Sequence, residues 1–234
     1  MTNDVLVVAA HSDDEALGCA GTIARYAREG RQVHVVFLTD GVGARGSATT
    51  EQSARQQASR AATDVLGVTS VTQLSFPDNQ IDSVPLLQVV QAIEEVARPL
   101  APQIVFTHHG GDLNVDHRLC NQAVLTAFRP EPGQSVEAVY GFEVASSTEW
   151  AFGTAETFVP QHFVDISPTL ELKMRALAAY DAEMRPFPHA RSREAVRALA
   201  IWRGASVGLN AAEAFSVLRT IDRWTDPEMP QSIK

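Results

Sequence analysis

Short apolar runs alternate with longer stretches of helical periodicity through the first half of the chain. Val5–Ala10 reads VLVVAA, unbroken and rich in β-branched residues, the pattern of a strand buried on both faces of a parallel sheet. Comparable runs predict strands near 4–10, 33–39, 70–75 and 103–107. The stretches between and after them predict helices near 14–29, 51–66, 84–99 and 116–128. Such alternation implies an α/β fold: a Rossmann-like, three-layer parallel sheet with right-handed crossovers and helices on both faces.

The pattern changes after Pro130. Glu131–Ser135 is a loop, 136–144 and 162–166 read as short extended segments, and long helical patterns follow at 168–184 and 189–209. No long flexible linker parts the two halves. Residues 1–234 therefore read as a single domain, with 1–130 the Rossmann-like half and 131–234 a strand and helix extension that completes it.

Composition narrows the class. Hydrophobic residues make up 45% of the 234-residue chain, enough for a full core. The net charge of −9 disfavours nucleic acid and anionic membranes as partners. No apolar run approaches the ~18 residues of a membrane span. The opening Met-Thr-Asn-Asp lacks the basic segment and apolar core of a secretion signal. Cys19 and Cys120 make no disulfide framework, and each reads as a small buried hydrophobe. A cytoplasmic protein is expected, with a homo-oligomer left open.

The chemistry concentrates at two strand ends. His11-Ser12-Asp13-Asp14-Glu15 follows the first apolar run. Ligands of open α/β sheets gather just past strand carboxyl ends. Ser12 and Glu15 fit an S-x-x-E capping box, but a cap gives no reason for His11 or for two adjacent aspartates. A second run, Ile104–Thr107, leads into His108-His109-Gly110-Gly111-Asp112-Leu113-Asn114-Val115-Asp116-His117. Facing each other across one crevice, the loops would offer His11, Asp14 and His117 as a two-histidine, one-carboxylate metal site with a position open for water.

A rival signal is Gly41-Val-Gly43-Ala-Arg-Gly46, which matches G-x-G-x-x-G and would suit a nucleotide-dependent oxidoreductase. It follows the second strand rather than the first, and no helix starts directly behind it. It reads better as a substrate-side loop in which Arg45 meets an anionic or hydroxylated ligand. A non-catalytic sugar- or metal-binding module is the third class. Trp202 reads as a core residue or a sugar-stacking one, Glu213 as a capping charge near a helix start, and Asp165 and Arg185 as further pocket candidates.

His11-Ser-Asp-Asp-Glu15 resembles the A-H-P-D-D-E motif of the LmbE-like, or PIG-L, N-deacetylases, and Asp116-His117 resembles the end of that family's H-P-D-H motif. The resemblance extends to the Asp40-Gly41 turn and to Ala212-Glu213-Ala214-Phe215. It implies zinc, or another divalent metal, on His11, Asp14 and His117, with Asp13 as general base. The implied reaction is hydrolysis of the N-acyl, most simply N-acetyl, group of an amino sugar, bare or joined to a nucleotide or other appendage. Acetate and a free amine are the products.

Two positions depart from the family pattern. Ser12 stands where the family has proline, and Asn114 where it has the first histidine of H-P-D-H. Asn114 can donate a hydrogen bond to an oxyanion but cannot deliver a proton at neutral pH. Asp13, His108 and His109 are then the candidate acids, with His108 and His109 also candidate substrate ligands. Asp116 reads either as a carboxylate orienting a group in the site or as an exposed helix-start charge.

Overall fold

The computed structural model describes residues 4–39, 50–153 and 156–224. The chain runs β1 (Val5–Ala9), α1 (Asp14–Arg28), β2 (Val33–Thr39), α2 (Thr50–Leu66), β3 (Ser70–Phe76), a 3-10 turn (Ile81–Ser83), α3 (Leu86–Ala97), β4 (Ile104–His108), α4 (Val115–Ala127), β5 (Ala138–Phe142), β6 (His162–Asp165), α5 (Leu170–Ala179), α6 (Arg193–Ala205) and β7 (Ala212–Thr220). Among the described residues seven strands form one sheet in the order β3-β2-β1-β4-β5-β7-β6. The first five are parallel, as the strand–helix alternation implies. β7 then inserts antiparallel between β5 and β6, so the sheet is mixed.

The strand periodicity of two builds two cores from one strand. Val5, Val7 and Ala9 of β1 join Ile23 of α1, Leu66 of α2 and Leu177 of α5 on one face. Leu6, Val8 and Ala10 join Val90 and Ile93 of α3 and Val124 of α4 on the other. This is the three-layer packing that an unbroken apolar strand requires. The strand order reverses between β1 and β4, and the crevice at their carboxyl ends is where such sheets hold ligands.

Helix α1 departs from regularity at Cys19, whose backbone (φ −145°, ψ 19°) breaks the helical run. Gly21 lies so close to Ile166 that an added Cβ would come within 2.8 Å of its side chain. The break leaves the N–H groups of Gly21 and Thr22 without helical acceptors. Glu213 accepts both, at 3.0 and 2.7 Å. Lys173 bonds the Leu17 carbonyl at 2.7 Å and Glu213 at 2.6 Å. The expected helix start at Glu213 is thus corrected: Glu213 is buried in β7, and the backbone ends it caps belong to α1.

Other expectations shift for local reasons. Asp13, not Ser12, stands at the N-cap of α1, and no side chain caps there. Trp202 is 67% exposed rather than in the core. The buried line of α6 runs Val196, Ala200, Gly204, and Trp202 sits about half a turn away from it.

Candidate active site

Loops leaving the carboxyl ends of β1, β3, β4 and β5 converge on His11. His11 Nδ1, Asp14 Oδ2 and His117 Nε2 form a triangle with sides of 3.2, 3.3 and 3.3 Å. Asp14 Oδ2 also accepts the His11 backbone N–H at 2.9 Å, which folds the loop so that Asp14 faces His11. The far nitrogen of each imidazole meets carboxylate. His11 Nε2 lies 3.2 Å from Asp116 Oδ2 and 3.2 Å from Asp78 Oδ1. His117 Nδ1 lies 3.1 Å from Asp112 Oδ1. Asp112 is fixed by the Ser147 hydroxyl, the Thr148 hydroxyl at 2.6 Å and the Asn114 N–H at 2.8 Å. Asp116 is wholly buried and accepts the Ile81 N–H at 3.1 Å, so it is no exposed helix charge.

The electrostatics follow from this crowding. Burial would lower the His11 pKa, but the carboxylates of Asp116, Asp14 and Asp78 reverse that and hold it well above its ordinary value. His117 is raised in the same way, against its burial, by Asp14 and Asp112. Burial would raise Asp14, yet His117, His108 and His11 bring it well below the usual carboxylate range. Asp13 differs. Burial pushes its carboxyl up to about 7, against the pull of Arg191, whose Nη1 donates to Asp13 Oδ2 at 2.7 Å.

The residues present fit a divalent cation. A tetrahedral zinc with bonds of ~2.0–2.1 Å requires ligand–ligand edges of ~3.3–3.4 Å. The observed triangle matches those edges. Asp14 Oδ1 is buried with no hydrogen-bond partner among the described residues, an acceptor that a cation beside the carboxylate would satisfy. A second grouping, His11 Nε2 with Asp78 and Asp116, shares His11 and is accounted for as the carboxylates that orient it.

Next to the triangle lies a cavity of about 180 Å³, bordered by Asp13, Asp78, Asn114, Ser146 and Arg191 and closed on one side by the Arg55–Glu183 ion pair (2.9 Å). A larger cavity of about 450 Å³ opens by Arg98, Phe128 and Gly133, near the residues that lead into β4, away from these groups. Asn114 is the N-cap of α4. Its Oδ1 accepts the Asp116 N–H at 2.8 Å, which fixes the amide's orientation and leaves Nδ2 as donor, to Asn79 Oδ1 at 3.2 Å.

His108 and His109 do not border the cavity beside the triangle. His108 is the last residue of β4 and is fully buried. Its Nε2 accepts the Ala10 N–H at 2.9 Å, and burial, with His117 beside it, holds its pKa well below the usual value. The ring does not border the cavity, and its Nε2 lies 3.4 Å from Asp14 Oδ2 of the triangle. His109 is 2% exposed, with Nε2 3.3 Å from the Glu156 carbonyl and its ring edge-on to Phe158. It does not border the cavity. Asp165 turns to Ser167, and Arg185 to the carbonyls of Ala182 and Met184. The Asp40-Gly41 turn, Arg45 and the Gly41–Gly46 loop lie outside the described residues.

Sequence reasoning gave no role to Asp78, Asp112, Ser147 or Arg191. Asp78 and Asp112 carried a usable signal, since each follows a strand end as His11 does. Arg191 carried none: it reaches Asp13 from 178 positions away.

The family described as PIG-L: GlcNAc-PI de-N-acetylase matches residues 6–128. Diacetylchitobiose deacetylase of Thermococcus kodakarensis is 29% identical over 225 residues, covering 89% of this chain and 80% of that protein. The probable N-acetyl-alpha-D-glucosaminyl L-malate deacetylase 2 of Bacillus anthracis is 25% identical over 187 residues, covering 76% and 80%. A conserved protein of Thermus thermophilus shares the fold with a TM-score of 0.76 and 27% identity over 97% of this chain and 99% of its own. These findings turn the assignment away from a nucleotide-dependent oxidoreductase and from a binding module. The chain belongs to the PIG-L family and is a hydrolytic N-deacetylase.

Proposed function

We propose that this protein removes the acetyl group from an N-acetylated amino sugar or sugar conjugate, using one divalent metal, zinc by preference. The observation that carries the reading is the His11–Asp14–His117 triangle with the Asp13 carboxylate beside it. The related deacetylases support the sugar. So does the cavity border of Arg55, Asp78, Asn79 and Glu183, which offers donors and acceptors to hydroxyl groups.

His11, Asp14 and His117 would hold the ion. Zinc there would supply Lewis acidity toward an amide carbonyl and lower the pKa of water. The remaining steps belong to the chain. Asp112 keeps the His117 proton on Nδ1, and Asp116 and Asp78 keep the His11 proton on Nε2, so the opposite nitrogens face the triangle. Asp13 Oδ accepts a proton from water and returns one to the departing amine. A carboxyl group titrating near neutrality suits both directions. Arg191 fixes that carboxylate and offsets its burial. Asn114 Nδ2 donates toward the developing oxyanion but delivers no proton.

The test is acetate release from a panel of N-acetyl sugars, sugar conjugates and nucleotide sugars by zinc-loaded protein. Asp13→Asn should keep the metal and lose roughly 10²–10⁴ in rate. Metal loss in Asp13→Asn with retention in Asp14→Asn would reverse the two roles.

A further inference from the structure

Asp13 holds its backbone where L-residues rarely go, at φ 121° and ψ −26°. Such a conformation costs free energy and persists only where its surroundings over-determine it. Its carbonyl is committed to the first turn of α1, accepting from Ala16 and Leu17 at 3.0 and 2.9 Å. Its carboxylate is committed to Arg191. The group that decides whether this peptide can flip away is the Asp13 N–H.

That N–H donates to Glu15 Oε2 at 3.0 Å. Glu15 is wholly buried, and its other oxygen accepts from the Tyr180 hydroxyl at 2.8 Å. Tyr180 closes the end of α5 and is 3% exposed, on a helix packed against α2. A buried chain of hydrogen bonds thus runs from the end of α5 through Glu15 of α1 into the strained residue.

We propose that Tyr180, acting through Glu15, is a positioning residue that locks the Asp13 backbone in its strained conformation and so aims the Asp13 carboxylate at the metal site. The proposal rests on Asp13 being the base. Neither Glu15 nor Tyr180 borders the cavity, and the contact that ties them to it is the Asp13 N–H held by Glu15. Without Tyr180 the Glu15 carboxyl group is free to turn, the Asp13 N–H loses a fixed acceptor, and the peptide can relax out of its positive φ. The base then drifts from its place while His11, Asp14 and His117 stay where their own partners hold them.

Three variants of the metal-loaded protein test this: Tyr180→Phe, Glu15→Ala and Glu15→Gln. Each is measured for kcat and KM by acetate release, for bound metal, and for hydrogen exchange of the Asp13 amide by NMR. Tyr180→Phe should lower kcat by about tenfold, the worth of one well-placed hydrogen bond, with KM and metal content unchanged. The Asp13 amide should exchange faster by a similar factor, and the β1 amides should not. Glu15→Ala should lose more, about a hundredfold or beyond. Glu15→Gln should recover most of it, because its amide oxygen still accepts from Asp13. Unchanged kcat and unchanged Asp13 exchange in Tyr180→Phe would overturn the proposal. So would loss of activity accompanied by faster exchange throughout β1 and α1, which marks a merely structural role. If the wild-type protein releases acetate from no amino sugar, the deacetylase reading fails, and the exchange measurement alone decides the positioning role.

Discussion

The buried pair that splices the break in α1 permits a stability prediction with an internal asymmetry. Lys173 and Glu213 are 3% and 4% exposed, and Glu213 holds the two N–H groups released at Cys19. Replacing Glu213 by Ala strands the Lys173 ammonium and both N–H groups together. Removing one partner of a buried ion pair costs ~3–5 kcal/mol, and each unsatisfied buried donor adds ~1–3 kcal/mol where water cannot reach it. Partial relaxation keeps the total near the lower end, about 4–6 kcal/mol. Lys173→Met is milder. It leaves Glu213 charged but still bonded to Gly21 and Thr22 at the amino end of a helical segment, where a carboxylate is favoured. About 2–3 kcal/mol is expected there. For a chain of this length 1 kcal/mol shifts the melting temperature by about 2–4 °C, so Glu213→Ala should lose at least ~8 °C and Lys173→Met roughly half of that. Differential scanning calorimetry with urea unfolding reads both. Equal losses, or a loss under ~1 kcal/mol for Glu213→Ala, would refute the view that Glu213 closes the helix break.

Three further outcomes are expected. Asp112→Ala should weaken metal binding about 10–100-fold by titration against a chelator, because Asp112 fixes the ring of His117 without touching the triangle itself. Asn114→Ala should cost ~1 kcal/mol of stability through the lost cap and about 10²–10³ in kcat, with metal content unchanged. Burial pushes the Cys120 thiol up to about 12 and Cys19 well above its usual value, so both should resist thiol reagents at pH 8 until the protein unfolds.

The parallel core was legible because strands buried on both faces write long apolar runs into the chain, as Val5–Ala10 does. β7 was not legible. Its Ala212-Glu213-Ala214 start looks like a helix cap, and distant partners, Lys173 and the Gly21 and Thr22 N–H groups, make a buried glutamate tolerable in a strand. The grouping of His11, Asp14 and His117 was readable because each sits in, or just past, a loop that follows an apolar run. The placement of His108 was not legible, because β4 continues one residue further than the apolar pattern and stacks the buried ring on His117. Arg191 and Tyr180 act on residues more than 160 positions away, and nothing in local pattern announces such contacts.

The triangle also sets how the protein should respond to pH, because protons and a metal compete for the same nitrogens. His11 and His117 have folded pKa values above those of the unfolded chain. Their contribution to the metal-free protein is therefore fully present below the unfolded value of ~6.5 and is lost as pH rises through the raised folded values. The buried carboxyl groups of Asp13 and Glu15, pushed up to about 7 and about 8, act in the same direction, since the folded state binds more protons than the unfolded one until those values are passed. A bound divalent cation replaces the imidazole protons and supplies the positive charge that Asp14, Asp78, Asp112 and Asp116 need around them. Metal-loaded protein should then escape the alkaline loss. The gap in melting temperature between metal-loaded and metal-free protein should widen from pH 6 to pH 8, and binding should release protons measurable by calorimetry in buffers of different ionisation heat. A gap that stays constant or narrows over that range, with no proton release, would mean that the cation binds somewhere other than between His11 and His117.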